Sequence, residues 1–243
     1  LRRAESWERG AWRQMAHGLT GLGMGCCHPD TGPRRIILQS HRTRRQGSTF
    51  NVIFHNYKVL PREIYGVTML YGTEANIIDY DGNLDMDDVT IEKMDIVIGS
   101  IHDVVYKVGN IEENTRAFIN VIKSGKVDII GHLGNPEVPV DFEAIVKCAA
   151  QNDVLIEINN SSFTTSRIGS LSNCTEIALL CKKYGSKLVM NSDAHFCTLI
   201  GDFSKAVNML ESIDFPEELI INKEPNELLL RLKKKGKLQD LDL

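Results

Sequence analysis

Short apolar runs that alternate with amphipathic segments constrain the fold of this chain more than any other feature of the sequence. Six runs have the length of buried strands, at 67–70, 95–98, 127–130, 154–158, 188–190 and 219–221. Helical patterns lie between or after them, at 114–125, 141–150, 174–185, 203–212 and 225–236. Strands separated by helices in this way are typical of parallel sheets that helices cover. The sequence therefore predicts an α/β fold, either a barrel or an open sheet.

The length and composition fit one soluble domain. A chain of 243 residues can form a single α/β barrel, and 42% hydrophobic and 25% charged residues are near the globular average. No apolar stretch reaches the roughly 18–20 residues of a membrane helix, and the first residues lack the apolar core of a signal peptide. The net charge of −4 disfavours a nucleic-acid surface. We therefore expect a cytoplasmic protein that binds neither membranes nor nucleic acid.

The six cysteines show no CxxC spacing, which argues against a disulfide framework and against a thiolate zinc site. Cys148 and Cys181 lie inside apolar helical patterns. Free cysteine is among the most buried residue types, so we expect both of these side chains in the core.

Residues 1–50 differ in composition from the rest of the chain. They contain nine arginines, no lysine and three acidic residues, whereas residues 51–243 contain four arginines, fifteen lysines and 29 acidic residues. The net charge therefore changes sign near residue 50, and 1–50 has no sustained apolar period except at Ile36-Ile-Leu. One interpretation is a basic, disordered arm; the other is an aberrant or out-of-frame sequence in place of the natural start. In both cases we expect the α/β domain at 51–243.

Side chains of the types that bind metal ions in proteins lie at or just beyond the ends of four predicted strands. Glu74 follows the first strand, His102 the second, His132 the third, and Asp193 with His195 the fifth. In a parallel β/α barrel the carboxyl ends of the strands meet at one mouth. Imidazoles together with carboxylates suit Zn²⁺, Mn²⁺ or Fe²⁺, and a carboxylate can bridge two ions. The pattern therefore predicts a divalent-metal site.

Each of these positions also has an ordinary explanation. Asp193 could cap a helix, Glu74 could pair with a surface lysine, and a single histidine such as His102 is more often packed or hydrogen-bonded than bound to a metal. The occurrence of all five residues at strand ends favours the metal site over the separate explanations.

The motifs around these residues resemble a known family. They are Tyr71-Gly-Thr-Glu-Ala-Asn, Gly99-Ser-Ile-His, Ile130-Gly-His-Leu-Gly-Asn-Pro136, Leu155-Ile-Glu-Ile-Asn-Asn-Ser-Ser-Phe163, Ser166-Arg167 and Asn191-Ser-Asp-Ala-His195. Together they resemble the PHP (polymerase and histidinol phosphatase) family, specifically its YcdX-like branch of small bacterial phosphatases, from about residue 54 onward. The resemblance implies a distorted (β/α)7 barrel that hydrolyses phosphate monoesters with up to three divalent ions, usually zinc or manganese.

The resemblance also implies roles for individual residues. Glu74 would bridge ions, and His102 and His132 would complete one metal site with it. Asp193 and His195 would bind the neighbouring ions. Asn160 and Arg167 would orient a phosphoryl group, since a guanidinium can contact two phosphate oxygens at once. For Arg167 the alternative is a solvated surface charge.

The amino-terminal part departs from the family pattern. PHP proteins open with a His-x-His strand, a further histidine shortly after it, and a histidine in a Thr-Glu-His-Gly-like strand end, and none of these motifs is present in this sequence. His41 is nearest in position but lacks the motif, so it is not assigned. We therefore expect the first strand or strands of the barrel to be missing or aberrant.

Two functions follow from these observations. The first is metal-dependent hydrolysis of phosphate monoesters on a small phosphorylated substrate, impaired to the extent that the missing ligands matter. The second is a non-catalytic remnant of such a protein, which binds one metal ion or only a partner. The sequence is compatible with a homo-oligomer and does not identify the substrate.

Overall fold

A computed structural model of the chain describes residues 22–26, 34–41, 59–64, 66–164 and 167–241. For 22–26 and 34–41 the description concerns the backbone only. Most of the arginine-rich segment 1–50 lies outside these ranges. Its disordered or aberrant character therefore stays a prediction, as does the domain boundary near residue 51.

Within the described residues, eight strands form one mixed sheet. They are β1 Leu22–Cys26, β2 Arg34–His41, β3 Glu63–Ile64, β4 Val67–Asn76, β5 Ile96–Ser100, β6 Ile129–Ile130, β7 Leu155–Asn159 and β8 Leu188–Asn191. Their order is β1-β2-β4-β5-β6-β7-β8, with β3 paired to β4. All pairs from β2 to β8 along this order are parallel, while β1 and β3 are antiparallel to their neighbours. The predicted α/β class with a mainly parallel sheet is confirmed.

Strand β2 lies where the sequence predicts a missing or aberrant first strand. It contains the Ile36-Ile-Leu run and pairs in parallel with β4 along its whole length, which places the backbone of His41 opposite that of Glu74. A strand is therefore present rather than missing at this position. Its sequence still lacks the histidine motifs of the family.

Six helices of the described residues connect or follow these strands. They are α1 Asp88–Glu92, α2 Ile111–Lys123, α3 Phe142–Gln151, α4 Ser170–Tyr184, α5 Ser204–Ser212 and α6 Pro225–Lys234. Local sequence sets several of their ends. Asn110 and Glu113 form a reciprocal capping box at the start of α2, the Asp141 side chain caps α3, and Gly185 ends α4 in the left-handed conformation with φ of 64°.

The predicted strand at 219–221 is wrong. Short 3-10 turns occupy Glu217–Leu219 and Ile221–Lys223, and a single parallel bridge joins Ile220 to Leu188. The physical reason is the Asn222 side chain, whose Oδ1 accepts the Met190 N–H at 2.7 Å and whose Nδ2 donates to the Met190 carbonyl at 2.8 Å. A side-chain amide thus satisfies backbone groups of β8 that a further strand would otherwise pair.

The sheet separates two hydrophobic cores. In β7, successive side chains point to opposite faces of the sheet and so pack into different cores. Ile156 and Ile158 belong to the larger core, which includes residues of α2, α3, α4 and α5. Leu155 belongs to the smaller core, which joins β4 to β8 and α6. Since side chains of a strand alternate between faces, Glu157 and Asn159 lie on the Leu155 face, nearer the carboxyl end of the strand. That face is therefore apolar at one end and polar at the other.

Cys148 and Cys181 lie in the larger core, as predicted. Both side chains are buried and neither forms a disulfide.

Candidate functional site

The carboxyl ends of four strands carry the predicted ligands. Glu74 lies inside β4, because this strand runs six residues beyond its predicted end and continues to Asn76. His102 follows the end of β5 by two residues, His132 follows β6 by two, and Asp193 follows β8 by two. The parallel sheet therefore brings these distant sequence positions to the same edge.

Glu74, His102 and His132 form a close group in which all three ligand atoms lie within 4.8 Å of one another. The Oε1 atom of Glu74 is 3.1 Å from Nε2 of His132 and 3.6 Å from Nε2 of His102. The two Nε2 atoms are 3.1 Å apart. Glu74 and His132 are each 5% exposed, whereas the His102 side chain is 23% exposed, so the group is shielded from solvent except at His102.

This geometry fits a divalent ion. Zinc binds nitrogen and oxygen ligands at about 2.0–2.2 Å with tetrahedral angles, which requires ligand atoms separated by roughly 3.3–3.6 Å. The three observed separations, from 3.1 to 3.6 Å, bracket that distance. Two neutral imidazoles that direct their Nε2 atoms at each other can share only one hydrogen bond, whereas a cation between them would accept both lone pairs. The group therefore has the donor atoms and spacing of a metal site.

A hydrogen-bonded relay orients His102 for this role. Nδ1 of His102 is 2.7 Å from Oδ1 of Asn76. The Asn76 amide is oriented in turn by Asp85, which accepts its Nδ2–H at 2.7 Å and its backbone N–H at 3.0 Å. Since Asn76 Oδ1 can only accept, the proton of a neutral His102 is placed on Nδ1. The Nε2 lone pair is then directed at Glu74 and His132, which is the arrangement of an outer partner that prepares a histidine for a metal.

Two of the predicted ligands have unusual backbone conformations. His132 has φ of 28° and Asp193 has φ of 49°, both in the left-handed region that non-glycine residues seldom adopt. Such conformations persist where surrounding contacts enforce them, and they are common at functional sites. For His132 one such contact is a hydrogen bond from its backbone N–H to Oε2 of Glu157.

Glu157 is a buried acid that the sequence analysis did not single out. Besides the His132 N–H, its carboxylate accepts hydrogen bonds from the side-chain amides of Asn191 and Asn159. Burial raises the pKa of the Glu157 carboxyl above its usual range; the charges of Glu74 and Asp193 raise it further, and His132 opposes the shift. A signal was available in the sequence, because an acid within the apolar strand Leu-Ile-Glu-Ile-Asn requires buried partners.

Asp193 is linked to the close group indirectly, through Asn159 and Glu157. Its Oδ2 accepts from Nδ2 of Asn159 at 3.2 Å and lies 3.5 Å from Nη1 of Arg167. The same Nη1 is 3.3 Å from Oγ of Ser162. The Arg167 side chain is only 13% exposed, so the alternative of a solvated surface charge is wrong.

The structure does not bring His195 into the close group. Its side chain is 70% exposed, and Nδ1 lies 3.0 Å from the Asp193 carbonyl oxygen and 3.8 Å from Asp193 Oδ1. In the part of the chain that the structure describes, neither Asp193 nor His195 belongs to a set of three ligand atoms within 4.8 Å. Their predicted metal binding stays a prediction.

The Asn160 side chain forms hydrogen bonds with the start of α5. Its Oδ1 accepts the backbone N–H groups of Lys205 and Ala206, each at 3.0 Å, and so satisfies donors in the first turn of α5. The residue is buried beside the mouth of the sheet, at the start of the turn that follows β7. Its predicted contact with substrate stays a prediction.

Among the helices of the described residues, none has the length and apolarity that crossing a membrane requires.

Likeness to solved structures concerns the fold. A chain of archaeal ribonuclease P, from a cryo-EM structure with mature tRNA, superposes with a TM-score of 0.52 at 14% identity, over 88% of this chain and 87% of that chain. The histidinol phosphate phosphatase of Lactococcus lactis, solved with zinc, L-histidinol and phosphate, gives a TM-score of 0.50 at 16% identity, over 75% of this chain and 82% of that chain. At these identities the likeness shows a shared α/β fold and nothing about function.

Sequence comparison gives the family. No protein-family model matches the chain. A probable phosphatase of Clostridium novyi is 56% identical over 188 residues, which is 77% of both chains. A probable phosphatase of Clostridium acetobutylicum is 42% identical over 212 residues, which is 87% of both chains. With this identity over more than three quarters of both sequences, the chain belongs to the family of these bacterial probable phosphatases and is a hydrolase.

Proposed function

We propose that the protein hydrolyses phosphate monoesters at a divalent-metal centre of the PHP type. The observation that carries this proposal is the close group of Glu74, His102 and His132, whose ligand atoms have the spacing of a zinc site. Membership of a family of probable phosphatases supports the reaction class. The quoted motifs support the YcdX-like branch in particular.

Zinc is the ion that we propose, with manganese or iron as alternatives, because two imidazoles and one carboxylate suit these transition metals. Up to three ions are part of the proposal. Asp193 and His195 would serve the second and third, and His195 would have to turn from its exposed position to do so. The closed (β/α)7 barrel is likewise proposed, supported by the parallel order from β2 to β8 and by the bridge from Leu188 to Ile220.

When bound, the ion supplies positive charge that polarises a phosphoryl group. The chain's own residues would do the rest. Glu74, His102 and His132 fix the position of that charge in a shielded site. Arg167, held by Asp193 and Ser162, presents a guanidinium that can contact phosphoryl oxygens. Asn160 would orient the same group from the turn after β7.

The substrate that we propose is a small phosphorylated molecule, and the location is the cytoplasm. The expectation that the protein does not bind nucleic acid rests on its charge alone and stays a prediction, as does its oligomeric state.

A non-catalytic remnant is the second candidate. Two observations favour it: the close group offers ligands for one ion, and the amino-terminal histidine motifs are absent from the sequence. In this case the protein would bind one ion or only a partner, and it would not turn over a phosphate monoester.

Metal analysis and a phosphatase assay of the purified full chain separate the two candidates. Mass-spectrometric counting of zinc, manganese and iron per chain is combined with hydrolysis of p-nitrophenyl phosphate, before and after treatment with a chelator. Two or more ions, with turnover that the chelator abolishes and added metal restores, support the enzyme. One ion or none, without turnover at any metal concentration, supports the remnant and contradicts the first proposal.

An Arg167→Lys variant tests the phosphoryl contact within the same assay. Lysine keeps the charge but cannot make two parallel hydrogen bonds. We expect KM for p-nitrophenyl phosphate to rise at unchanged metal content. An unchanged KM would remove Arg167 from the substrate site.

A further inference from the structure

We infer that Glu157 is a positioning residue that holds the two halves of the candidate metal site together without binding an ion itself. This inference rests on the proposed function. One half is the close group of Glu74, His102 and His132. The other half contains Asp193. The Glu157 carboxylate lies between them on β7 and is 5% exposed.

The first half is held through the backbone of His132. The His132 N–H donates to Oε2 of Glu157, while its ring contacts Glu74 and His102. Because φ of His132 is 28°, an ordinary relaxation of the backbone would move the ring away from its neighbours. The hydrogen bond to the buried Glu157 oxygen opposes that relaxation, because a buried N–H that loses its partner is costly.

The second half is held through Asn159. Its Nδ2 lies 3.3 Å from Oε2 of Glu157 and 3.2 Å from Oδ2 of Asp193, so one amide joins the two carboxylates. Asn159 is itself fixed, because its Oδ1 accepts the Ser162 N–H at 3.2 Å. On the opposite side, Oε1 of Glu157 accepts a hydrogen bond from Nδ2 of Asn191, the last residue of β8.

The three neighbours make a carboxylate necessary at this position. Each of them presents an N–H donor, and an ionised carboxylate is a side chain with acceptors on both oxygens and no donor. A glutamine could accept from His132 and Asn159 with its oxygen, but its NH₂ group would then face the NH₂ group of Asn191. Turning the Asn191 amide over would relieve this contact only by moving its NH₂ group to the buried position where Oδ1 now has no hydrogen-bond partner, and an unpaired buried donor is costly. The structure therefore predicts that Glu157→Gln disturbs the site although it preserves shape.

A polarity swap tests this inference. In the double variant Glu157→Gln with Asn191→Asp, the new carboxylate accepts from the glutamine NH₂, and the original pattern is restored with donor and acceptor exchanged. We expect the single variant Glu157→Gln to weaken zinc affinity about 10–100-fold, as loss of outer partners of metal ligands does, and the double variant to recover most of this loss. Zinc affinity is measured by competition with a chromophoric chelator.

Asp95→Asn is the matched control. Asp95 is also a buried acid that accepts a backbone N–H, that of Tyr71 at 2.7 Å, but it stands at the amino end of β5. We expect its variant to unfold at lower temperature and to keep wild-type zinc affinity. Unchanged zinc affinity in Glu157→Gln would overturn the inference while the metal site remains, and so would a loss that the double variant fails to recover.

A measurement on the metal-free chain keeps the inference separate from the proposed function. Hydrogen exchange of the His132 amide should be accelerated at least about 10-fold in Glu157→Gln, because local opening becomes easier, and slowed again in the double variant. If the wild type binds no zinc, the proposed function fails and the ligand-positioning role fails with it, while the exchange rates still report whether Glu157 holds His132.

Asn159→Asp provides a second route if Glu157→Gln does not fold. This variant keeps the Oδ1 acceptor for Ser162 and replaces the bridging donor by an oxygen between two carboxylates. We expect zinc affinity to fall by about 10-fold or more. Wild-type affinity in Asn159→Asp would overturn the link to Asp193.

Discussion

Replacement of His132 by alanine removes one of three ligand atoms from the close group, and the cost to zinc binding can be worked out. Structural zinc sites with four ligands bind with roughly 10–16 kcal/mol, so one ligand accounts for about 2.5–4 kcal/mol. At 1.4 kcal/mol per tenfold change, the dissociation constant rises on the order of 10²–10³-fold. Nε2 of His132 lies 3.1 Å from both other ligand atoms, so it is central to the group.

Thermal unfolding with and without zinc measures this loss. At a free zinc concentration of about 100 times the wild-type dissociation constant, binding stabilises the wild type by about 2.7 kcal/mol, and the variant by about 0.4 kcal/mol or less. For a chain of this size 1 kcal/mol corresponds to roughly 2–4 °C. We therefore expect zinc to raise Tm by about 5–11 °C in the wild type and by at most about 2 °C in His132→Ala.

Ile129→Val is the matched control for this experiment. Ile129 is fully buried in β6, three residues before His132, and belongs to the smaller core. Loss of one methyl group there costs about 0.5–1.5 kcal/mol, which lowers Tm with and without zinc alike and leaves the zinc-induced rise intact. An equal zinc-induced rise in His132→Ala and wild type would refute the assignment of His132 as a ligand.

Three further outcomes are expected. Asn76→Leu should weaken zinc affinity about 10–100-fold in chelator competition, because the proton of His102 is no longer held on Nδ1; wild-type affinity would contradict the relay. Burial raises the pKa of the Cys181 thiol to about 12, so iodoacetamide at pH 8 should label it only after denaturation, and rapid native labelling in a mass spectrum would exclude a buried thiol. Burial alone would raise the pKa of Glu227, but the hydrogen bonds and charges of Lys187 and Arg231 together outweigh burial and lower it. The stability from these two ion pairs is therefore present above the ordinary pKa of 4.5 and lost as pH falls through the lower folded pKa. In urea titrations, the free energy of unfolding that is lost between neutral and acid pH should be smaller in Glu227→Gln than in the wild type, by less than about 1 kcal/mol. An equal loss in both would argue against these ion pairs.

The order and type of most elements could be predicted from the sequence. Five of six predicted strands and all five predicted helices are present, with ends that differ by a few residues. The exception at 219–221 arose because the apolar run looked like a strand, while the Asn222 side chain replaced the strand's hydrogen bonds. The sequence also predicts an end for β4 that is six residues too early, since the polar residues Thr73 and Glu74 interrupt the apolar run although the strand continues through them.

The candidate site was predicted in part. The sequence predicts Glu74, His102 and His132 as ligands because each is a potential ligand beside an apolar strand, and the parallel sheet brings their ligand atoms together. Asp193 is connected to this group only indirectly, by a hydrogen bond from the Asn159 side chain, and His195 points into solvent. Residue type and strand position say which edge a side chain occupies, but they do not specify its rotamer or the loop that carries it.

The sequence by itself determined that this chain is an α/β protein and which residues could bind metal at the carboxyl ends of its strands, because hydrophobic periodicity and side-chain chemistry are local properties. Only the tertiary structure decided that Asn76 and Glu157 hold this group in place. Asn76 is hydrogen-bonded to His102 and Glu157 to His132, and the partners of each bond are at least 25 positions apart in the sequence. Such contacts depend on how strands pair and on how backbones turn beyond them, and no local pattern of residues carries that information.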